Sequence, residues 1–402
     1  MKVIGIIVEY NPLQNGHAYQ IEVARRIYGA DYVVLVMTGN FNERGLPAII
    51  PKEKRALMGI NAGADLVIEL PTCYSLADLP GMALGAISIF DKIGIVDNLL
   101  FGSELGRLDE IEEMSDIMQS DSYLMTYEEK LGETGVTSSS RKEALKYMGY
   151  DRYAECINDP NNLLGVTFLQ VLKRINSKII PLTHKRIGQA YLDDTAMAHY
   201  EKAVYSSATA VRRMIRDSYL KSGELSEDIV RCVPKYVYDE LISSLDNSFP
   251  VFSSDFYDVI LNAIRLASVE SLESIDGMNQ KLASTMLHDS NEYLCFREFD
   301  RHLKSKFPNI NLDRRYYRIL TNQVSTDIEE YEKQGVVFYA SILAEGKRSQ
   351  PLLERMRTES RIPIVRKKNE DKYVSEIGLK QIRNNKNADD IYTRVVISKF
   401  RR

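Results

Sequence analysis

The chain has 402 residues, 44% of them apolar and 27% charged, an ordinary globular balance with room for two or three domains. No run of eighteen apolar residues occurs, and Glu9 interrupts the apolar start, so neither a transmembrane span nor a signal peptide is expected. The net charge of −4 hides an asymmetry: residues 345–402 hold 16 Lys/Arg against 8 Asp/Glu, a net of +8, which leaves −12 on the rest and suggests a polyanion partner for the C-terminal end. Cys73, Cys156, Cys232 and Cys295 lie far apart with no C-x-x-C pair, which fits a reducing cytoplasm better than disulfides or structural zinc. The five histidines are scattered and suggest no metal cluster.

Val3 to Tyr10, VIGIIVEY, is an apolar β-branched run expected to form a buried strand. From His17 onward, Ala18, Ile21, Ala24 and Ile27 recur at helical spacing. The loop NPLQNGH between them therefore leads into a helix N-terminus, where unpaired N–H groups and a partial positive charge favour phosphate. His17 falls in the first turn. The loop is not a P-loop, having no Gly-Lys-Ser/Thr, and one Gly is too few for a dinucleotide fingerprint.

Asp31 to Gly39 is a second buried strand, followed by the polar loop GNFNERGLPA with Arg44 as an anion partner. Lys52 to Ala64 reads as a helix that starts on a surface lysine, and Ala64 to Pro71 as a third strand. Residues 77–93 are helical in pattern, and Val96 to Glu104 forms a fourth strand reaching Gly102. The polar stretch 105–150 is expected to be helical. Asn161 sits where it could cap the helix before Ile175, and Ser177 to Gly188 is a fifth strand with Arg186 at its end. In YSSATAVRRMIRDSYL, Ser207 can cap a helix, Thr209 lies in its first turn and Arg212 one turn inside, a plausible triphosphate clamp. The alternation predicts a Rossmann-like, doubly wound parallel sheet over residues 1–220. Residues 221–402 read as a mainly helical domain with a small basic α/β piece at its end. Within it, DRRYYRILT interleaves Arg314, Arg315 and Arg318 with Tyr316 and Tyr317, a surface suited to RNA, or simply a packed helix.

NPLQNGH, RGLPA, ADLVIELP, LLFGSE, PNNLLG, the strand end at Arg186 and SATAVR occur in that order. The arrangement resembles the bacterial tRNA(Met) cytidine acetate ligases, a branch of the His-x-Gly-His nucleotidyltransferase superfamily. The likeness is strong over the first 220 residues and general beyond them. It implies ATP contacts at Ile7, Val8, Glu9, Tyr10, Asn11, Gly16, His17, Gln20, Gly102, Asn161 and Arg186. It also implies a second phosphate motif around Ser207, Thr209 and Arg212, with Mg²⁺ as help. The activity implied is activation of acetate by ATP to acetyl-adenylate, then acetylation of the wobble cytidine of elongator tRNA(Met). His17, Gln14 and Arg212 are the catalytic candidates. Gln14 stands where the family has His; a neutral donor in place of a charged one is expected to contact phosphate more weakly, and Gln14→His to strengthen that contact. Two other readings stay open: an adenylyltransferase for a small phosphorylated substrate, and a tRNA-binding relative weakened by Gln14. The sequence does not indicate the oligomeric state.

Overall fold

The computed structural model describes residues 1–186, 205–366 and 371–401; the YLDD stretch and Lys367–Lys368 lie outside the described residues. Five strands were expected before residue 190, and five form: β1 (Val3–Val8), β2 (Tyr32–Thr38), β3 (Leu66–Leu70), β4 (Asn98–Ser103) and β5 (Ile180–Lys185). The first three are continuous apolar runs because parallel strands are covered on both faces. Gly5 interrupts β1 for a packing reason: a Cβ there would come within 2.9 Å of the Phe90 ring. Helices between the strands return the chain, so β5-β4-β1-β2-β3 align in parallel. Successive strands leave β1 first toward β2 and β3, then, after a crossover, toward β4 and β5. The carboxyl ends of β1 and β4 thus flank the switch point where such sheets open a crevice.

The C-terminal strands do not form a separate piece. β6 (Ala340–Glu345) pairs antiparallel with β3, and β7 (Ile364–Val365) pairs with β6, giving one seven-stranded sheet. The physical reason is the β3 edge, whose unpaired N–H and C=O groups need a partner.

Apolar side chains cover both sheet faces. On one, the Leu79–Ile93 and Pro160–Arg174 helices bury Ile87, Phe90 and Phe168; on the other, the Asn15–Arg26, Lys52–Asn61 and Ala208–Ser222 helices bury Ile21, Ala56 and Val211. A third core lies among helices of residues 253–400 and includes Phe256, Tyr316, Tyr317 and Tyr392. It also takes in Phe41, from the loop after β2. Among the described residues no helix is long and apolar enough to cross a membrane.

Candidate nucleotide site at the sheet edge

The strand-to-helix turn after β1 is tight. Tyr10 adopts a left-handed φ of 51°, an uncommon conformation for a bulky residue. Its buried ring lies 5.2 Å from that of His17. The helix begins at Asn15 with Gln14 as N-cap, placing Gly16 and His17 in the first turn as expected. Nδ1 of His17 accepts the Gln14 backbone N–H at 3.1 Å, so the imidazole proton resides on Nε2. Burial, and secondarily the charge of Arg186, lower the His17 pKa to about 3. His17 is therefore a neutral donor near pH 7.

Gln14 does something else than expected. With its amide nitrogen turned toward Ser206, the side chain donates to the Ser206 carbonyl at 3.0 Å and accepts from the Ala208 N–H at 2.9 Å. Both ends of the amide then fasten the NPLQNGH loop to the start of the second motif, which leaves one amide N–H for a further acceptor.

That second motif folds as a capped helix. Ser207 accepts from the Ala210 N–H at 3.2 Å, and Gly223 ends the helix at a φ of 73°. Two of the helix's first N–H groups are thus held by protein side chains, fewer open donors than the sequence suggested. The remaining polarity gathers at Thr209. Arg44 Nη1 and Arg212 Nη2 donate to its hydroxyl oxygen at 3.0 and 3.2 Å, leaving the Thr209 O–H itself to donate outward. Arg212 Nη1 also holds the Asn11 carbonyl at 3.0 Å, which ties this cluster to the first motif. Burial first, then the neighbouring Arg44, lower the Arg212 pKa from its usual value. Two like charges sharing one hydroxyl repel each other, and an anion between them relieves that.

Across the crevice, Arg186 Nη1 donates to Asn161 Oδ1 at 3.1 Å. Asn161 is not the cap; Asp159 precedes the helix, Pro160 opens it, and Asn161 is the second residue. The helix start is served by Glu104, which accepts from Asn161 Nδ2 at 2.5 Å and the Asn162 N–H at 2.9 Å. Gly102 has a steric role here. A Cβ would approach Arg186 Cγ to 2.9 Å and His184 Nε2 to 3.2 Å, so glycine lets the arginine cross β4. His184, which sequence reasoning passed over, lies beneath that crossing; its pKa is lowered to about 4, chiefly by burial. Gln20 points back to β4, donating to the Leu100 carbonyl at 3.3 Å. Ile7 and Val8 end β1, and Glu9 Oε1 accepts the Glu43 N–H at 3.2 Å. Among the described residues, Arg44, Arg186 and Arg212 have no carboxylate within ion-pairing distance, although each is hydrogen-bonded.

Arg55 is a further residue not singled out from sequence. Fully buried, it donates to the carbonyls of Glu9 at 2.7 Å and Thr38 at 3.1 Å, and to that of Gly39, drawing the ends of β1 and β2 together. A signal was present: an arginine on the inner side of an amphipathic helix between two strands. Lys52, read as a surface residue, is buried and paired with Glu69 at 2.5 Å and with Asp389. The DRRYYRILT helix is also not an exposed RNA surface. Tyr316 and Tyr317 are in the third core, Arg314 pairs with Glu43 at 3.1 Å, and Arg318 with Asp276 at 2.6 Å. An open groove of about 720 Å³ runs along the outer side of the Asn15–Arg26 helix, but Arg25 there is spent on Asp65 and Arg26 on Glu22.

The model of the HIGH Nucleotidyl Transferase family matches residues 1–402. A protein of Acetivibrio thermocellus named tRNA(Met) cytidine acetate ligase is 35% identical, the match covering 91% of this chain and 88% of that one. One of the same name from Caldanaerobacter subterraneus is 32% identical over 91% and 89%. The crystal structure of Thermotoga maritima TmcAL bound with alpha-thio ATP superposes with a TM-score of 0.85 at 27% identity, over 98% of this chain and 95% of that one.

Proposed function

The chain belongs to the tRNA(Met) cytidine acetate ligase family of HIGH nucleotidyl transferases, and from that premise we propose that it uses ATP to acetylate the wobble cytidine of elongator tRNA(Met) by way of acetyl-adenylate. The observation that carries this reading is the set of three arginines without carboxylate partners, Arg44, Arg186 and Arg212, around the open ends of β1 and β4. Arg212 is half-buried and Arg44 and Arg186 are exposed; three guanidiniums gathered at one crevice with no carboxylate to match them among the described residues fit a polyanion. That the Thermotoga protein of the same fold is bound with alpha-thio ATP supports ATP as the nucleotide.

In this reading a carboxylate oxygen of acetate attacks the α-phosphorus and pyrophosphate leaves. No covalent enzyme intermediate is needed, only alignment and charge on the leaving group. Arg212 and Arg44 supply that charge, Thr209 a hydroxyl donor and His17 a neutral Nε2–H. The exocyclic amine of cytidine then attacks the acetyl carbonyl, AMP leaves, and the amine loses one proton. Among the described residues no three His, Cys, Asp or Glu groups converge on a metal site. Mg²⁺ would therefore be carried in on the phosphates, as its preference for phosphate and water allows. Arg348, Arg361, Lys380 and Lys399 are matched by carboxylates from before residue 345, so part of the basic excess beyond 344 serves the fold; the remainder supports a tRNA partner there, held mainly through phosphates and so weakened by salt.

The test is acetate-dependent exchange of pyrophosphate into ATP, followed by transfer of labelled acetate to tRNA(Met). Exchange with acetate, and label on the tRNA, are expected. Exchange that ignores acetate would assign another acceptor, and no exchange with intact ATP binding would leave a tRNA-binding relative.

A further inference from the structure

The loop from Gly39 to Ala48 carries Arg44 into the nucleotide site, yet many of the residues that hold the loop belong to the other half of the chain. Phe41 is fully buried in the helical core, with ring centroids 5.5 Å from Tyr317, 5.9 Å from Phe256 and 6.1 Å from Tyr392. Arg314 Nη2 donates to the Glu43 carbonyl at 2.7 Å and to its carboxylate at 3.1 Å. Gly45, at a φ of 75°, lies so close to the Leu312–Leu320 helix that a Cβ would come within 2.3 Å of Arg314 Cα. On the far side, Asp389 of the Glu376–Phe400 helix accepts from Asn40 Nδ2 at 2.9 Å, and Tyr392 donates to the Ala48 carbonyl at 2.7 Å. From its inner side the loop touches the site through the Glu43 N–H on Glu9 and Arg44 on Thr209, and its start is held by Arg55 on the Gly39 carbonyl and by the Lys52 N–H on Asn40 Oδ1 at 2.9 Å.

We propose that Arg314, through its pair with Glu43, is a positioning residue for nucleotide binding, so that the helical half sets the place of Arg44 in the ATP clamp. This rests on the functional reading above, and it adds that RNA docked on the helical half bears on a loop that holds ATP. A side chain that clamps both the carbonyl and the carboxylate of Glu43 fixes the residue next to Arg44. Without it, Arg44 loses its register on Thr209 while Arg212, held by Asn11, keeps its own.

The experiment measures ATP affinity of the full-length protein by calorimetry, with no acetate or tRNA present, for wild type, Arg314→Ala, Glu43→Gln and the exchanged pair Arg314→Glu/Glu43→Arg. Thermal melts of each accompany the titrations. Charge-assisted bonds of this kind correspond to about a tenfold weaker ATP binding in each single variant. The exchanged pair is expected to recover the share carried by the ion pair and not the share carried by the backbone carbonyl, to which a carboxylate at 314 cannot donate; a loss of ATP affinity with an unchanged melting temperature separates positioning from a merely structural contribution. Glu43 is partly exposed, so Glu43→Gln keeps the test standing if Arg314→Ala does not fold. Unchanged ATP affinity in a folded single variant overturns the proposal, as does an exchanged pair no tighter than the singles. Wild type that binds no ATP at all overturns the functional reading itself.

Discussion

Two sets of arginines in this molecule teach opposite lessons. Along the sheet edge, Arg44, Arg186 and Arg212 rest on hydroxyls, amides and carbonyls. In the Leu312–Leu320 helix, Arg314 and Arg318 rest on Glu43 and Asp276. Residue type is the same in both; the difference lies in where the carboxylates are. An arginine without a carboxylate, held only by neutral acceptors, keeps its charge available for a ligand. One whose charge is matched within the protein contributes to the fold.

Exchange of the two behaviours is the way to break this contrast. The largest effect is expected at Arg318, buried with Asp276 and with the Leu76 and Asp276 carbonyls as acceptors. Arg318→Ala should cost about 3 kcal/mol of stability, because its partners are left unpaired, read as a shift in the denaturant midpoint. Next, Arg212→Ala should lower ATP affinity roughly thirtyfold, about 2 kcal/mol, with a melting temperature close to wild type. If instead Arg212→Ala unfolds the protein and Arg318→Ala only weakens ATP binding, the contrast fails.

A pH titration sharpens the contrast from another side. His17 and His184 are held neutral, with pKa values lowered to about 3 and about 4 from an ordinary 6.5. The unfolded chain takes up these protons first as pH falls, so the stability they allow is complete above pH 6.5 and declines from there toward about pH 4 for His184 and about pH 3 for His17. His17→Asn should reduce that decline, and bound ATP should too, since a nearby polyanion raises the pKa of His17. A denaturation midpoint as pH-dependent in His17→Asn as in wild type would remove His17 from this account.

The smallest effect concerns Gln14. Sequence reasoning expected Gln14→His to tighten the phosphate contact. In the structure both ends of the amide already join Ser206 and Ala208. One imidazole cannot readily serve the two partners at once, so Gln14→His should weaken ATP binding by a few-fold, on the order of 1 kcal/mol. A gain in affinity would show that the side chain turns to the ligand after all.

How much was legible beforehand follows from which signals are local. The parallel strands were readable because burial on both faces leaves no alternation, only runs such as VIGIIV and YVVLVMT. The capped start at Ser207 was readable for the same reason: cap and helix adjoin in the chain. Pairing was not. Nothing near Ala340 says that β6 will seek β3, and nothing near Arg314 says that Glu43 waits for it. Tyr316 was partly readable, since Leu312, Tyr316 and Leu320 share one helix face, a packing stripe more than a stacking platform. Phe41 was a second hint, a lone aromatic in a loop otherwise polar and glycine-rich.

The pairing of β6 with β3 also bears on how the chain is made. Leu66 to Glu69 leave the ribosome early, while Ser341 to Glu345, their edge partners, come about 270 residues later. At a synthesis rate on the order of 5–20 residues per second, the β3 edge stays open for roughly 15–50 s. During that interval the nascent sheet presents an apolar, hydrogen-bonding border to any neighbouring chain. Closure by so distant a strand is a slow, high-contact-order step. A chaperone that shields one sheet edge would therefore serve this protein most before residue 345 is added, and nascent chains stalled short of that point should aggregate more readily than those released beyond it.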